Sequence, residues 1–179
     1  MNSQLSKFGT LAGLILLVAF SRVLPHPPHF TPIGALALFG AAYFNRKSLA
    51  FVVPMSAMFL SDLVLGNPSS VAYICFILIT IFGIYFLQKI SIQRIILASL
   101  IASISFFLIT NCVAWYGSSL YPQNFQGLLA SYVAGLAFYQ PAPFGNFFLN
   151  TVMGDLFFCG VLFGSYHLIQ KYILKPAVA

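Results

Sequence analysis

The sequence predicts an all-α membrane protein of six transmembrane helices, and three observations carry that expectation. First, 60% of its 179 residues are hydrophobic and only 6% are charged, with a mean hydropathy of +0.96. A soluble domain carries about 25% charged residues, so there is too little charge here to coat a water-facing surface. Second, apolar runs close to the roughly 20 residues that a bilayer requires recur along the whole chain. Third, the net charge of +6 comes from cations placed mainly at the ends of those runs. That placement reads as membrane topology rather than as a groove for nucleic acid.

Taken in order, the expected spans are 8–24, 33–44, 48–65, 71–87, 92–115 and 146–169, forming one transmembrane domain over 1–179. The second is short and is closed by Asn45, Arg46 and Lys47, the third by Gly66, Asn67 and Pro68, and the fourth by Gln88 and Lys89. Lys7 is a weak positive start for a signal peptide, so the first run is expected to stay as a span. A further helical pattern at 127–139 is too short to cross and is expected as a re-entrant or interfacial helix between the fifth and sixth spans. With that assignment, Lys7, Arg46, Lys47, Lys89, Arg94, Lys171 and Lys175 share one side and only Arg22 falls on the other. The positive-inside rule then places both termini in the cytoplasm. Trp115, Tyr116, Tyr121, Tyr132 and Tyr139 read as an outer aromatic belt.

Leu24 to Pro32 separates the first two spans and holds four of the ten prolines and two of the three histidines. Proline removes backbone donors and fixes φ, so the segment is expected to be extended and polyproline-like. The short span after it would end inside the bilayer, and the loop would dip in to meet it, which is tolerated only against protein or a cavity. His26 and His29 would lie about 9 Å apart in such a conformation, too far to share one ion, and no metal site is expected. Small residues at spacing four, Gly9 with Gly13 and Ala37 with Ala41, suit close helix packing, within the chain or against a partner. Cys75, Cys112 and Cys159 lie in apolar runs without a CxxC spacing and are expected as buried thiols.

The chain's two carboxylates, Asp62 and Asp155, both fall within spans. An intramembrane charge is costly and marks a functional candidate. Arg22 enters from the same outer side, so two accounts stand: a structural Arg22–Asp pair, or a polar ligand site. Asn111, Asn146 and Asn150 occupy the outer half as well, although Asn146 and Asn150 share a helix face that Asp155 does not. An aspartyl protease would require a pair of aspartates at equal depth; Met153-Gly154-Asp155 lacks the first glycine of a G-x-G-D motif, and Ser61 precedes Asp62. No catalytic residue and no cofactor motif is expected.

The run from Arg22 through Pro25, His26, Pro27, Pro28, His29 and Pro32 to Phe44 resembles the signature of an uncharacterised bacterial family described as membrane transport proteins. Ser61-Asp62-Leu63, Thr110-Asn111, Tyr121-Pro122 and Gly154-Asp155-Leu156-Phe157 look like its other motifs. That family is similar in size and helix count to the S components of energy-coupling-factor (ECF) vitamin transporters. The resemblance implies a multi-pass protein of the bacterial cytoplasmic (inner) membrane that binds a small vitamin-like solute beneath its outer loops. It also implies a coupling subunit and ATPases as partners. Arg22, His26, His29, Asp62, Asn111, Trp115, Asn150 and Asp155 are the expected substrate-binding residues. The rival expectation is a structural or assembly protein in which the aspartates hold helices together.

Overall fold

The computed structural model describes residues 2–66, 69–137 and 146–174, and among them every regular element is helical. The helices are α1 (Asn2–Phe20), α2 (Ile33–Tyr43), α3 (Lys47–Leu65), α4 (Ser70–Phe86), α5 (Ile92–Gly117), α6 (Phe125–Ala137) and α7 (Phe147–Ile169). A 3-10 turn, Ser21–Val23, extends α1, and a π turn, Gln170–Leu174, extends α7. Of the sequence-based expectations, Tyr139, Lys175 and the residues 67 and 68 that close the third run lie outside the described residues.

The expected span count needs a correction. Four helical stretches are long and apolar enough to cross a membrane: Ser6–Val23, Lys47–Leu65, Ile92–Gly117 and Phe147–Leu174. α4 has 17 residues and α2 only 11. At 1.5 Å per residue these reach about 25 Å and about 16 Å, short of a hydrocarbon core of roughly 30 Å.

The short α2 is the axis of the bundle. Its residues Ile33 to Gly40 are buried on every side, and α1, α3, α4, α5 and α7 all pack against it. A helix that is apolar all round belongs in an interior, and the composition Gly34, Ala35, Ala37, Gly40, Ala41 explains how five neighbours fit around it. Gly40 takes the ring of Pro54, a proline inside α3, where an added Cβ would stand 2.7 Å from Pro54 Cγ. On an adjacent side Ala41 enters the notch of Gly83 on α4. The small face Ala37–Ala41 thus serves internal packing, whereas nothing approaches Gly9 or Gly13 on α1. Phe39 and Tyr43 complete the C-terminal end of α2 by edge-on contacts with Phe163 and Tyr166 of α7.

α6 begins two residues before the expected position and lies against α5. Ser131 donates to the Asn111 carbonyl at 3.0 Å and Tyr132 to the Leu108 carbonyl at 3.2 Å. The turn leading into it is stapled by Trp115 Nε1 donating to Pro122 O and Gln123 Nε2 donating to Trp115 O, each at 2.8 Å. The loop between α1 and α2 is not extended throughout, contrary to expectation. Phe30 N donates to Pro27 O at 3.1 Å, with His29 at φ +64°. Pro28 then occupies the first and His29 the second central position of a turn of the type II kind, which favours proline and positive φ at those places. Histidine is among the few side chains that adopt this left-handed conformation readily.

Candidate functional site

The eight residues expected to bind substrate do not form one site. Most divide between two buried polar networks and the surroundings of a cavity, and His26 joins none of them. The first network joins Arg22, beyond the end of α1, to α3 and α4. Arg22 Nη2 pairs with Asp62 Oδ1 at 2.7 Å, and Nη1 donates to Ser61 Oγ at 2.6 Å. Ser61 Oγ in turn donates to the Met58 carbonyl at 2.7 Å. Tyr73 OH donates to the other Asp62 oxygen at 2.6 Å. The two charged side chains retain 10% and 4% of their exposure, so the pair is enclosed. Enclosed pairs of this kind fix which helices meet; their net stabilisation is small because desolvation offsets the attraction.

The second network is centred on Asp155 and contains no cation among the described residues. Ser103 on α5 donates to Asp155 Oδ2 at 2.7 Å. The backbone N–H groups of Gly34 and Ala35 donate to the same carboxyl. These are orphan donors of the first turn of α2, where Pro32 supplies no side-chain cap. Asp155 is therefore an N-cap delivered from another helix, and it also meets the positive end of the α2 dipole. Gly34 is required for that approach, since a Cβ there would stand 2.6 Å from Asp155 Oδ1.

An adjoining face of α7, that of Phe147, Asn150 and Gly154, seats the prolyl loop. Asn150 Nδ2 donates to the Pro28 carbonyl at 2.9 Å, and His29 stacks on Phe147 with centroids 4.6 Å apart. One turn further on, the Phe30 and Thr31 backbone crosses Gly154, where a Cβ would come within 3.2 Å of it. Phe30 then packs on Phe157 and Phe158. From Phe147 to Asp155 the loop follows α7 for about 12 Å along the helix axis, so it descends beside the helix before α2 starts. Although His29 keeps an exposed edge, burial pushes its imidazole down from the ordinary value of 6.5.

Beside the seated loop, between α5, α6 and α7, lies a cavity of about 300 Å³. His29, Phe107, Thr110, Asn111, Tyr121 and Phe148 are among its walls. Of the expected residues, His29 and Asn111 thus face it directly. Trp115 holds the turn that leads to its α6 wall, and Asn150 holds its loop. Asp155 sits behind Thr151 and Phe106, which the cavity shares with a void of about 10 Å³ touching that carboxyl. Arg22 and Asp62 belong to the other network, and His26 is exposed on the loop.

The cavity's polar walls are neutral side chains, several already committed to backbone. Thr110 donates to Phe106 O at 2.8 Å, Asn111 Nδ2 to Phe107 O at 2.8 Å and Thr151 to Phe147 O at 2.9 Å. Hydroxyl lone pairs and the Asn111 amide oxygen remain as acceptors. Among the described residues no three His, Cys, Asp or Glu side chains converge as a metal site would require.

Ser103 and Tyr73 were not singled out in the sequence, and Gly34 and Gly154 stood out only as small residues and as part of the Gly154-Asp155 motif, not as groups that seat a carboxyl or a loop. A signal for Ser103 was present: Ala98, Ser99, Ala102 and Ser103 form a small-residue stripe on α5, and all four are buried. Tyr73 carried none, since its partner lies on a different helix.

No curated protein and no solved structure matches this chain. A family model matches residues 2–177, nearly the full length. The chain belongs to a family of unknown function, DUF6580.

Proposed function

We propose that the protein is the substrate-binding subunit of an importer for a small, vitamin-like solute. The observation that carries this reading is the cavity of about 300 Å³ beside the prolyl loop, of a size that suits one small molecule. Aromatic walls with a few fixed acceptors suit a compact, largely apolar ring system. His29 and Asn111 would contact it, and release of the loop from Asn150 and Gly154 would open the way.

In this reading six helices cross or enter the membrane, with α2 and α4 carried by their neighbours. Both termini lie in the cytoplasm, and α6 is re-entrant or interfacial on the outer side of a bacterial inner membrane. Arg46, Lys47, Lys89, Arg94 and Lys171, all at or near helix ends, support that orientation. The subunit would hand its solute to a coupling subunit driven by ATPases, as S components of ECF transporters do.

A structural role is the second reading, favoured by the enclosure of Arg22 with Asp62 and of Asp155 with Ser103. The separate networks of the two aspartates argue against an aspartyl protease.

Heat-unfolding of the purified protein against a panel of vitamins tests the proposal. A binder should raise the midpoint by several degrees in the native chain and not in Ala134→Phe, which fills the cavity. No shift with any compound, together with normal growth of cells carrying Asn111→Leu or His29→Ala on limiting vitamins, would favour the structural role.

A further inference from the structure

A second and larger hollow, of about 570 Å³, lies at the other end of the bundle, between the start of α5 and the last turns of α7. Its walls include Ser91, Ile92, Ile95, Gly160, Gly164 and His167. Nothing stands within 4 Å of a Cβ at Gly160 or Gly164, so the glycines leave the hollow open rather than admitting a neighbouring helix of this chain. The body of the hollow is apolar, as an acyl chain would require.

Its mouth has a different character. Ser91 caps α5, accepting from Arg94 N, so the positive end of a 26-residue helix dipole opens there. Lys89 stands next to the wall residue Ile90, exposed to solvent. His167 is in the wall itself, and Lys171 follows it one turn later, its ammonium over the Tyr172 ring. No carboxylate lies at this end among the described residues, since Asp62 and Asp155 are enclosed in their own networks. Arg94 is excluded from the set because its guanidinium is bound to the Phe86 carbonyl at 3.3 Å and rests on the Phe86 ring.

An apolar slot with the start of α5 in its wall, and with Lys89 and Lys171 following one residue before Ile90 and one turn after His167 along the chain, is complementary to one amphiphile. We infer that this hollow is a binding site for an anionic phospholipid, with an acyl chain against Gly160 and Gly164 and the phosphate between Lys89, Lys171 and the start of α5. Basic pockets between membrane helices recognise anionic headgroups in this way. The site is separate from the cavity beside the prolyl loop and stands whether or not that cavity binds a solute.

Native mass spectrometry of the full-length protein in detergent, titrated with phosphatidylglycerol or phosphatidylcholine of identical chains, reads the site. The native protein should retain phosphatidylglycerol preferentially. Lys89→Gln with Lys171→Gln should reduce that preference by roughly fivefold for each lysine removed. Both lysines are solvent-exposed, so this variant should fold normally. Lys47→Gln is the control, as Lys47 lies over the Tyr85 ring on a different pair of helices. Gly160→Leu with Gly164→Leu should fill the slot and reduce retention of both lipids. An unchanged preference in the double-lysine variant would overturn the inference, as would an equal loss in Lys47→Gln. So would a concentration-dependent dimer that the glycine variant dissolves, because the slot would then be a contact between copies.

Discussion

Removing the Asp155 carboxyl should destabilise the fold through a helix other than its own. The carboxyl accepts from Ser103 Oγ and from the N–H groups of Gly34 and Ala35. In Asp155→Ala the serine has a fallback, because Ser103 Oγ also lies 3.1 Å from the Ser99 carbonyl. The two backbone donors have none, as α2 starts at Pro32 with no side-chain cap. A buried donor left without a partner costs about 1–3 kcal/mol, so Asp155→Ala should lose roughly 2–6 kcal/mol. Asp155→Asn keeps one acceptor oxygen and should lose less than half of that, and Ser103→Ala about 1 kcal/mol. Equilibrium unfolding in mixed micelles, followed by circular dichroism, gives the order Ala, then Asn, then Ser103→Ala. Cleavage within the prolyl loop by a soluble protease should accelerate in the same order, since that loop leads directly into the uncapped turn. If Asp155→Ala proves no more harmful than Ser103→Ala, the carboxyl is not capping α2 and the reasoning fails.

Three further outcomes follow from the same geometry. Arg22→Met should cost about 3–5 kcal/mol by stranding Asp62, while Arg22→Met combined with Asp62→Leu should recover most of it; equal damage in both variants in a thermal melt would count against the pair. Gly154→Val should leave the helices intact yet lift the prolyl loop, since its Cβ lies within 3.2 Å of the Phe30 backbone, and a fluorophore at His26 should gain mobility. Burial holds His29 below its ordinary value of 6.5, so the seated loop favours the neutral ring. Loop seating should accordingly be complete above about pH 6.5 and weaken as the pH falls through the lowered value, and His29→Phe should remove that dependence in the same fluorescence assay.

Helix positions were legible because the apolar runs end in strong signals: Asn45-Arg46-Lys47 stops α2, and Ser91 and Asn146 are competent caps for α5 and α7. The thinness of α2 was visible in its glycines and alanines, but the sequence left open whether they pack within the chain or against a partner. What could not be read was mutual placement. Asp62 and Asp155 had the same local signal, a carboxylate in an apolar run between a small residue and a leucine. Only the three-dimensional arrangement gives one an arginine and the other the end of a helix. The turn at His29 was hidden by the prolines around it, since a Pro-Pro-His run suits an extended chain and a type II turn equally well. The cavity escaped for a related reason: of its polar walls, Thr110 and Thr151 bond carbonyls of their own helices and Ser131 one of a neighbouring helix, as such residues do in membrane helices that hold no ligand.

The bond from Asn150 to Pro28 joins residues 122 positions apart, and the cap from Asp155 to Gly34 is of similar reach. During synthesis at about 5–20 residues per second, the start of α2 waits on the order of ten seconds for the helix that completes it. For that interval the most buried helix of the bundle has bare donors at one end and neighbours still unmade. Assembly is thus governed by a helix made more than a hundred residues after the one it completes. A truncation that removes α7 should leave the first half of the protein without a finished centre, and a quality-control protease at the membrane would meet it there.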